Sequence, residues 1–474
     1  MESSANEEAP PKVVVLMVPL PAQGHLNQLI NLSRLVSSAG VHVHFACSGT
    51  HNRQARVRVH GWDPSSVSKI HFHDLPFPEI STPPPDPSAT LKFPAHLQAT
   101  FDAAVIDLRQ PLLGLLRSLC ASGQRVAVIH DSVMSFIAED TVDLPNAEAY
   151  VFHSVSAFAY FCFFLDSMPV EKLDIPQKLK QIYLSSPSPP LKTCFTDTFL
   201  ELIERQVNYF QFDVGELYNT CYAIEGEFHD CLTQPPFRAA GALKTWTIGP
   251  LNSIAIEKNI SHSRHKCMEW LDMQPRKSVI YISFGTMSSV SDEQIKELAM
   301  GLKGSNQRFL WVLREADRGD IFKDEGKLCN LPDDFDGTAE GMGMIIRDWA
   351  PQVGILAHPS TGGFMTHCGW NSSMESISMG VPVVAWPMAS DQPRNAMLLT
   401  DVLKMGVSVR DWARWDQVVP AGDIEAAVRR LMETEEGKEM RKRAAELSVA
   451  VRGSLAEGGS SATALSSFIA HISR

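Results

Sequence analysis

The chain has 474 residues, a length that predicts two domains of roughly 200–250 residues each rather than a single hydrophobic core. Hydrophobic residues make up 44% of it and charged residues 20%, and the formal net charge of −12 comes without any basic run. This composition is typical of a globular protein and argues against nucleic acid or an anionic membrane surface as a partner.

Residues 1–11 are polar and acidic and contain no apolar signal segment, so we expect a disordered N-terminus on a cytoplasmic, monomeric protein. No apolar run reaches the length of a membrane span, which predicts that the chain does not insert into a membrane. The nine cysteines are odd in number, widely spaced and without a CxxC pair. They indicate reduced thiols rather than a disulfide framework or a zinc site.

The N-terminal half, residues 12–250, predicts alternating strands and helices. The apolar run 13–18 predicts a buried parallel strand, and apolar periodicity predicts a helix over 25–39. Two proline-rich stretches, 81–88 and 185–190, predict exposed loops. Further strands are predicted at 41–46, 125–129 and 150–153, and further helices at 101–120 and 157–165.

The pattern restarts after Pro250. We interpret residues 251–264, which are mostly polar, as a linker and residues 265–456 as a second domain. Its predicted strands are 279–284, 309–313, 344–346, 363–366 and 381–386, and its predicted helices include 265–271 and 292–302. Two successive βαβ series predict an α/β protein with two Rossmann-like domains, whose parallel sheets face a cleft.

Residues 349–392, WAPQVGILAHPSTGGFMTHCGWNSSMESISMGVPVVAWPMASDQ, are the most informative segment. Gly369 permits a sharp turn into a helix, and Glu375 is expected in the first turn of that helix. A helix start has free backbone N–H groups that suit a diphosphate, and His367 adds a donor or a positive charge. Trp349 offers a ring on which a nucleobase can stack. These features predict a nucleotide-sugar site, with a buried βαβ segment as the alternative.

This segment resembles, over its full 44 residues, the signature box of plant secondary-product UDP-glycosyltransferases. WAPQ, ILAHPS, GGFMTHCGWNS, ES, GVP, WP and DQ all occur in order. The resemblance implies a GT-B fold, inverting transfer of a sugar from a UDP-sugar, and a C-terminal helix in residues 457–474 that packs on the N-terminal domain.

Motifs outside the box are most similar to those of the zeatin O-glucosyltransferase branch, including its cis-zeatin type. They are AQGHLNQL, VIHDSVM and FHSVSAF. The similarity implies a hydroxyl of a cytokinin, zeatin or cis-zeatin, as acceptor. The resemblance of the signature box implies UDP-glucose as donor, because the box ends in Gln392 and a glutamine there accompanies glucose in the family. Flavonoids and other phenols are the alternative acceptors.

The resemblance also implies roles for individual residues in binding the UDP-sugar. The expected contacts are Trp349 and the Ala350 backbone with uracil, Gln352 and Glu375 with ribose, His367, Trp370, Asn371 and Ser372 with the diphosphate, and Asp391 and Gln392 with the sugar. Ser283 and Thr286 follow a predicted strand in the turn SFGT and are expected to add contacts to the phosphates or the sugar. Simple turn chemistry is the alternative for these two.

His25 and Asp131 each follow a predicted strand, so they are expected at carboxyl ends of strands, where open α/β sheets bind ligands. A histidine backed by an aspartate can act as a general base. From spacing alone, the alternatives are a helix N-terminal residue for His25 and a helix cap for Asp131. The resemblance assigns His25 as the base that deprotonates the acceptor hydroxyl and Asp131 as the group that stabilises its imidazolium.

Two further expectations concern the metal and the acceptor. Asp334 and Asp336 form a DxD match, which we interpret as a solvated loop, and we expect neither a metal requirement nor a bound cofactor. An apolar acceptor pocket is expected from aromatic segments, with core packing as the alternative for each member. Its candidate residues are Phe93, His96, Phe152 and Phe158.

Other classes of protein lack support in the sequence. A phosphorylase would need a lysine-bound pyridoxal phosphate, a hydrolase a GxSxG elbow and an NAD enzyme a GxGxxG turn after a strand. A non-catalytic nucleotide-sugar sensor would keep residues 349–392 but would not need His25 and Asp131. The presence of both favours an enzyme.

Overall fold

The structure is a computed structural model that describes residues 12–59, 62–168, 170, 173–185, 189–238, 243–252, 265–288, 290–314, 331, 335 and 341–474. The expected N-terminal disorder and residues 253–264 of the expected linker lie outside the described residues, as do Asp334 and Asp336.

The first sheet has seven parallel strands in the order β3-β2-β1-β4-β5-β6-β7. Every residue of β1 is buried, as expected for a continuous apolar strand covered by helices on both faces. The strands are β1 (Val13–Val18), β2 (His42–Ser48), β3 (Ile70–Leu75), β4 (Arg125–Asp131), β5 (Ala147–His153), β6 (Gly215–Tyr218) and β7 (Lys244–Thr247).

Ten helices of the described residues accompany this sheet. They are α1 (Gln23–Ser38), α2 (Gly49–Val59), α3 (Pro64–Val67), α4 (Gln98–Asp107), α5 (Arg109–Ala121), α6 (Phe136–Glu139), α7 (Ala157–Asp166), α8 (Gln177–Ser185), α9 (Asp197–Val207) and α10 (Tyr222–Leu232). The single helix predicted over 101–120 is wrong, because the chain forms α4 and α5 with a break at Leu108. Pro111 explains the break, since proline is tolerated in the first turn of α5 but not inside a longer helix.

The second sheet has six parallel strands in the order β10-β9-β8-β11-β12-β13. Its strands are β8 (Val279–Ser283), β9 (Arg308–Val312), β10 (Gly343–Ile346), β11 (Thr361–Thr366), β12 (Val383–Ala385) and β13 (Gly406–Ser408). Its helices are α11 (Lys266–Asp272), α12 (Asp292–Ser305), α13 (Gln352–Ala357), α14 (Trp370–Met379), α15 (Gln392–Met397), α16 (Ala421–Glu433), α17 (Glu435–Leu455) and α18 (Ser460–Ile472). The predicted GT-B architecture of two Rossmann-like α/β units is confirmed.

The last helix, α18, packs on the first sheet rather than the second. Phe468 is fully buried there, with its ring centroid 5.4 Å from that of Tyr150 and 5.1 Å from that of Trp246. The C-terminal helix therefore joins the two units. Among the described residues, no helix is both long enough and apolar enough to cross a bilayer.

The strand order reverses between β1 and β4 in the first sheet and between β8 and β11 in the second. Open α/β sheets bind ligands outside the carboxyl ends of their strands at such reversal points. The two reversal points face each other, because the Asn371 amide after β11 donates a 2.8 Å hydrogen bond to the Gly24 carbonyl after β1. The fold therefore places a candidate site between the units.

Candidate active site between the two sheets

His25 and Asp131, which are 106 residues apart in sequence, meet at the carboxyl ends of β1 and β4. The Nδ1 of His25 lies 2.6 Å from the Oδ2 of Asp131. The Asp131 side chain is fully buried, and its other oxygen accepts the backbone N–H of Val133 at 2.9 Å. The His25 side chain keeps 22% of its surface exposed, and its Nε2 has no hydrogen-bond partner in the described part of the chain. That nitrogen is available to accept a proton.

The pair shifts the pKa values of both groups. Burial by itself would lower the pKa of His25, but the charge and hydrogen bond of Asp131 outweigh burial, so the pKa rises above its ordinary value. Burial by itself would raise the pKa of Asp131, but the charge and hydrogen bond of His25 outweigh it, so that pKa falls. A carboxylate held against imidazole in this way fixes the tautomer and favours the cation.

Ser154 is a third member of this group that the sequence did not indicate. It follows β5, the strand next to β4, and its hydroxyl lies 2.9 Å from the Nδ1 of His25. It also hydrogen-bonds the carboxylate of Asp131 and so helps to lower the pKa of that group. The strand-end rule applied to β5 could have identified it.

The turn after β8 and the turn after β11 enclose the ring of His367. A Cβ atom added to Gly285 would lie 2.7 Å from this ring, and one added to Gly369 would lie 2.5 Å from its Nε2. Gly285 also has a φ of +74°, a conformation that side chains disfavour. A side chain at either glycine would displace the His367 ring, so the two glycines allow the SFGT turn to pack against the signature segment.

His367 is neutral in the free protein, because burial lowers its pKa to about 4. Its Nδ1 is buried and has no hydrogen-bond partner among the described residues. A bound anion would supply a hydrogen-bond acceptor for the ring, and its negative charge would raise the pKa of His367. His367 therefore offers a diphosphate an N–H donor rather than a standing charge.

Helix α14 begins at Trp370 directly after this turn, with Gly369 as its N-cap residue. The first backbone N–H to return to the helix is that of Ser373, which donates to the Gly369 carbonyl. The earlier N–H groups at the helix start are the ones that can bind a phosphate. The expectation that Glu375 lies in the first turn is wrong, because the helix starts at Trp370 and the first turn contains no acidic residue.

The side chains of Trp370 and Asn371 join the two units. The indole N–H of Trp370 donates to the Asn219 carbonyl at 2.8 Å, and the Asn371 amide donates to Gly24. Any contact of Trp370 with a diphosphate would therefore use its backbone N–H. Asn371 holds the N-terminus of α1, and so His25, against the start of α14.

Gln352 and Glu375, the pair expected at the ribose, lie together. The Gln352 amide donates to the Glu375 carboxylate at 2.7 Å and to the Ser372 hydroxyl at 3.1 Å, and its oxygen accepts the Tyr281 hydroxyl at 3.0 Å. Burial raises the pKa of Glu375, and the bond from Gln352 partly opposes that rise. The Glu375 carboxylate can accept hydrogen bonds from a vicinal diol such as that of a ribose.

Trp349 is 60% exposed, which is unusual for so large an aromatic residue. An exposed ring three residues before Gln352 in the chain is available for base stacking. The neighbouring Ala350 is half-buried, and its carbonyl accepts the N–H of Gln352 at 2.9 Å.

Asp391 and Gln392 are both buried, at the start of α15. The Gln392 oxygen accepts the backbone N–H groups of Met388 and Ala389 at 2.9 and 3.1 Å, so its amide offers a ligand N–H donors only. Burial raises the pKa of Asp391, and hydrogen bonds led by that from Asn395 oppose the rise. The Asp391 carboxylate, an acceptor, and the Gln392 amide, a donor, thus lie next to each other in the chain. Asp391 is also close enough to His25 to raise the pKa of the imidazole.

The two residues expected from the SFGT turn differ in exposure. Ser283 is the last residue of β8 and is buried, while Thr286 follows Gly285 and is half-buried. Thr286 is therefore the more accessible of the two to a ligand held at His367.

The expected acceptor pocket is wrong in two of its members. Phe152 and Phe158 have no exposed surface and belong to two separate cores, Phe152 beneath α1 and Phe158 against Phe228. A side chain without accessible surface lines no cavity, so both are packing residues. Phe93 is 7% exposed and packs on an aromatic group with Phe199, with ring centroids 4.8 Å apart. His96 is half-buried in the short turn before α4.

Among the described residues, no group of three or more His, Cys, Asp or Glu side chains is arranged to hold a metal ion. The eight cysteines of the described ranges are free thiols.

Two family matches cover the chain. Residues 11–253 match the family described as glycosyltransferase, N-terminal domain, and residues 254–448 match the family described as "UDP-glucoronosyl and UDP-glucosyl transferase". The boundary between the two matches falls within residues 251–264.

Several characterised proteins are similar to this chain over almost its whole length. A zeatin O-glucosyltransferase of Phaseolus lunatus is 48% identical, covering 98% of this chain and 97% of its own. A zeatin O-xylosyltransferase of Phaseolus vulgaris is 46% identical, covering 99% of each chain. Cis-zeatin O-glucosyltransferase 2 of Zea mays is 43% identical, covering 98% of each chain.

A solved structure shows the same fold. A UDP-glucosyltransferase from Polygonum tinctorium, capable of glucosylating indoxyl, is 28% identical to this chain and superposes with a TM-score of 0.77. The comparison covers 98% of this chain and 99% of that protein.

Proposed function

Since this chain belongs to the UDP-glycosyltransferase family, we propose that it transfers glucose from UDP-glucose to a hydroxyl of zeatin, with cis-zeatin included, to give an O-β-glucoside. The observation that supports catalysis is the contact between His25 and Asp131 at the carboxyl ends of β1 and β4. The acceptor class rests on the 43–48% identity with zeatin glycosyltransferases over whole chains.

The reaction begins at the acceptor hydroxyl, which is a poor nucleophile until it loses its proton. The Nε2 of His25 takes that proton while the hydroxyl oxygen attacks the anomeric carbon of glucose. Asp131 stabilises the imidazolium through Nδ1, and Ser154 holds the carboxylate in place.

The bond between the anomeric carbon and the diphosphate oxygen breaks as the new glycosidic bond forms, through an oxocarbenium-like state. The leaving UDP gains negative charge at the start of α14, where backbone N–H groups and His367 stabilise it. The base and the leaving group lie on opposite sides of the sugar, so an α-linked donor gives a β-glucoside.

The test is to incubate the protein with UDP-glucose and a panel of hydroxylated acceptors and to read the products by mass. The panel contains trans-zeatin, cis-zeatin, a flavonol and a simple phenol. A gain of one hexose on either zeatin supports the proposal. A product only with the flavonol or the phenol would replace the acceptor, and UDP binding without any product would favour a non-catalytic sensor.

The choice of donor is a separate prediction. Glucose and galactose differ only at the 4-hydroxyl, and Asp391 and Gln392 are the proposed partners of the sugar hydroxyls. We expect UDP-glucose to give the highest kcat/KM and UDP-xylose, which lacks only the C6 group, to come second. The measurement is kcat/KM for UDP-glucose, UDP-xylose and UDP-galactose with one acceptor, and a higher value for either of the other two donors would refute the assignment.

Gln392→Ala should lower kcat/KM for UDP-glucose about 10- to 100-fold and leave UDP affinity nearly unchanged, because one donor to the sugar is lost. Gln294→Ala is the matched control. Gln294 is also buried and also bonds a loop backbone, at Val419, but it lies on α12. A similar loss in both variants would show that Gln392 acts through folding alone.

We also propose that catalysis needs no metal ion, because the N–H groups at the start of α14 and the ring of His367 are the proposed partners of the phosphates. Activity in excess EDTA should equal activity without it. If EDTA abolishes turnover and magnesium or manganese restores it, the proposal is wrong and Asp334 and Asp336 become candidate ligands.

We further propose a cytoplasmic, monomeric protein without nucleic-acid partners, which sedimentation and fractionation can check.

A further inference from the structure

Asn395, on the first turn of α15, is a fully buried amide whose polar atoms are all paired. Its nitrogen donates to the Oδ2 of Asp391 at 2.7 Å and to the carbonyl of Cys368 at 2.9 Å. Its oxygen accepts the hydroxyl of Ser156 at 2.7 Å. Buried polar groups with such complete pairing rigidify their surroundings.

The three partners belong to three parts of the proposed site. Asp391 is the carboxylate proposed to bind the sugar. Cys368 lies in the turn that leads to α14 and has a φ of +63°, an uncommon conformation for a residue with a side chain. Ser156 caps α7 in the other unit, accepting the N–H of Ala159. One side chain therefore connects the sugar end, the phosphate turn and the acceptor-side unit.

The neighbouring Arg394 attaches α15 to α7 a second time. It has no exposed surface, and its guanidinium lies 2.5 Å from the carboxylate of Asp166 and 2.9 Å from the carbonyl of Pro189. It also stacks over Phe163, 4.4 Å from the ring centroid. Ser156 and Asp166 are at opposite ends of α7, so α15 is attached at both ends of that helix.

We propose that Asn395 is a positioning residue, which orients Asp391 toward the donor sugar and ties that orientation to the acceptor-side unit. The inference rests on the proposed function, in which Asp391 binds the sugar. Without the amide donor, the Asp391 carboxylate would lose a buried partner and the turn at Cys368 would lose its restraint. The affinity for the sugar would fall, whereas uracil and ribose are proposed to bind at other residues, Trp349, Gln352 and Glu375.

The experiment compares binding of UDP-glucose with binding of UDP by calorimetry, together with kcat/KM for transfer. Asn395→Ala should weaken UDP-glucose binding relative to UDP and lower kcat/KM about 10- to 100-fold. The Kd for UDP should stay within about threefold, because UDP lacks the sugar that Asp391 is proposed to bind, and Asn395 reaches the phosphate turn only through the carbonyl of Cys368. Asn395→Leu, which keeps a branched side chain of similar shape but removes the donors, should behave in the same way.

Asn52→Ala is the matched control. Asn52 is equally buried, and its amide also donates to a carboxylate, that of Asp74 at 2.8 Å, and to the carbonyls of Cys47 and His73. It lies on α2, and its bonds join α2 to strands β2 and β3 of the first sheet. This variant should lose a comparable amount of thermal stability and keep the wild-type ratio of UDP-glucose to UDP affinity.

Three outcomes would overturn the inference. One is an unchanged affinity ratio in both Asn395 variants, and another is an equal loss of UDP and UDP-glucose affinity. The third is failure of both variants to fold while Asn52→Ala folds, which would make Asn395 a folding residue only. Absence of transfer by the wild-type protein would instead reject the proposed function, and the binding ratio would still test Asn395.

Discussion

His25→Ala should lower kcat by roughly 10²–10⁴ while UDP binding persists, because the variant lacks the group that takes the acceptor proton. The Nε2 of His25 faces partly open space, and both contacts of the ring use Nδ1, so the base lies at the surface of the site. The nucleotide, by contrast, is proposed to bind at Trp349, Gln352 and α14. Single-turnover rates with zeatin, with the Kd for UDP measured alongside, give the comparison.

His358→Ala is the control for this prediction. His358 forms a histidine–aspartate pair with Asp272, 3.0 Å apart, but it precedes β11 and so lies at the opposite edge of the sheet from the cleft. The His358→Ala variant should turn over substrate at close to the wild-type rate. Near-normal turnover by His25→Ala would remove His25 as the base, and loss of UDP binding in that variant would mean that the substitution had disturbed the nucleotide site.

Asp131→Asn should slow kcat by roughly 10²–10⁴, since the carboxylate that stabilises the imidazolium is lost while the shape of the side chain is kept. The amide cannot supply the charge, although it can still accept from the Val133 backbone. Turnover at an unchanged rate would leave Asp131 only as a cap for the turn that follows β4.

The same variant should move the pH dependence of kcat/KM. The base works when it is neutral, so activity is present above the pKa of His25 and is lost as the pH falls through it. In the wild-type protein Asp131 raises that pKa above 6.5, against burial, with a smaller contribution from Asp391. In Asp131→Asn burial remains and the main opposing charge is absent, so the acidic limb should move to lower pH.

A pH series of kcat/KM for both proteins measures this shift. Ser154→Ala provides a graded comparison, because it removes the hydroxyl bonded to the pair and keeps the carboxylate. We expect its acidic limb to lie closer to that of the wild-type protein. An acidic limb that stays in place in Asp131→Asn would show that a group other than His25 controls the rate.

The fold class and the proposed UDP-sugar contacts within residues 349–392 could be predicted from local sequence. Strands such as Val13–Val18 are predictable because parallel strands buried on both faces read as continuous apolar runs. The parts of residues 349–392 lie close in sequence, so the glycine turn, the histidine before it and the helix after it could be recognised together. Zeatin glycosyltransferase motifs around His25 and Asp131 indicated the branch that the comparisons then confirmed.

Which distant residues meet depends on the tertiary fold and could not be predicted from local sequence. His25, Asp131 and Ser154 lie at or after the carboxyl ends of three strands, and their contacts depend on the strand order, which local periodicity does not encode. The same reason hid Asn395, whose partners lie on two units. Sequence also cannot separate an aromatic residue that lines a pocket from one that packs a core, because both are equally apolar. Phe152 and Phe158 proved to be core residues because neighbouring elements cover them completely.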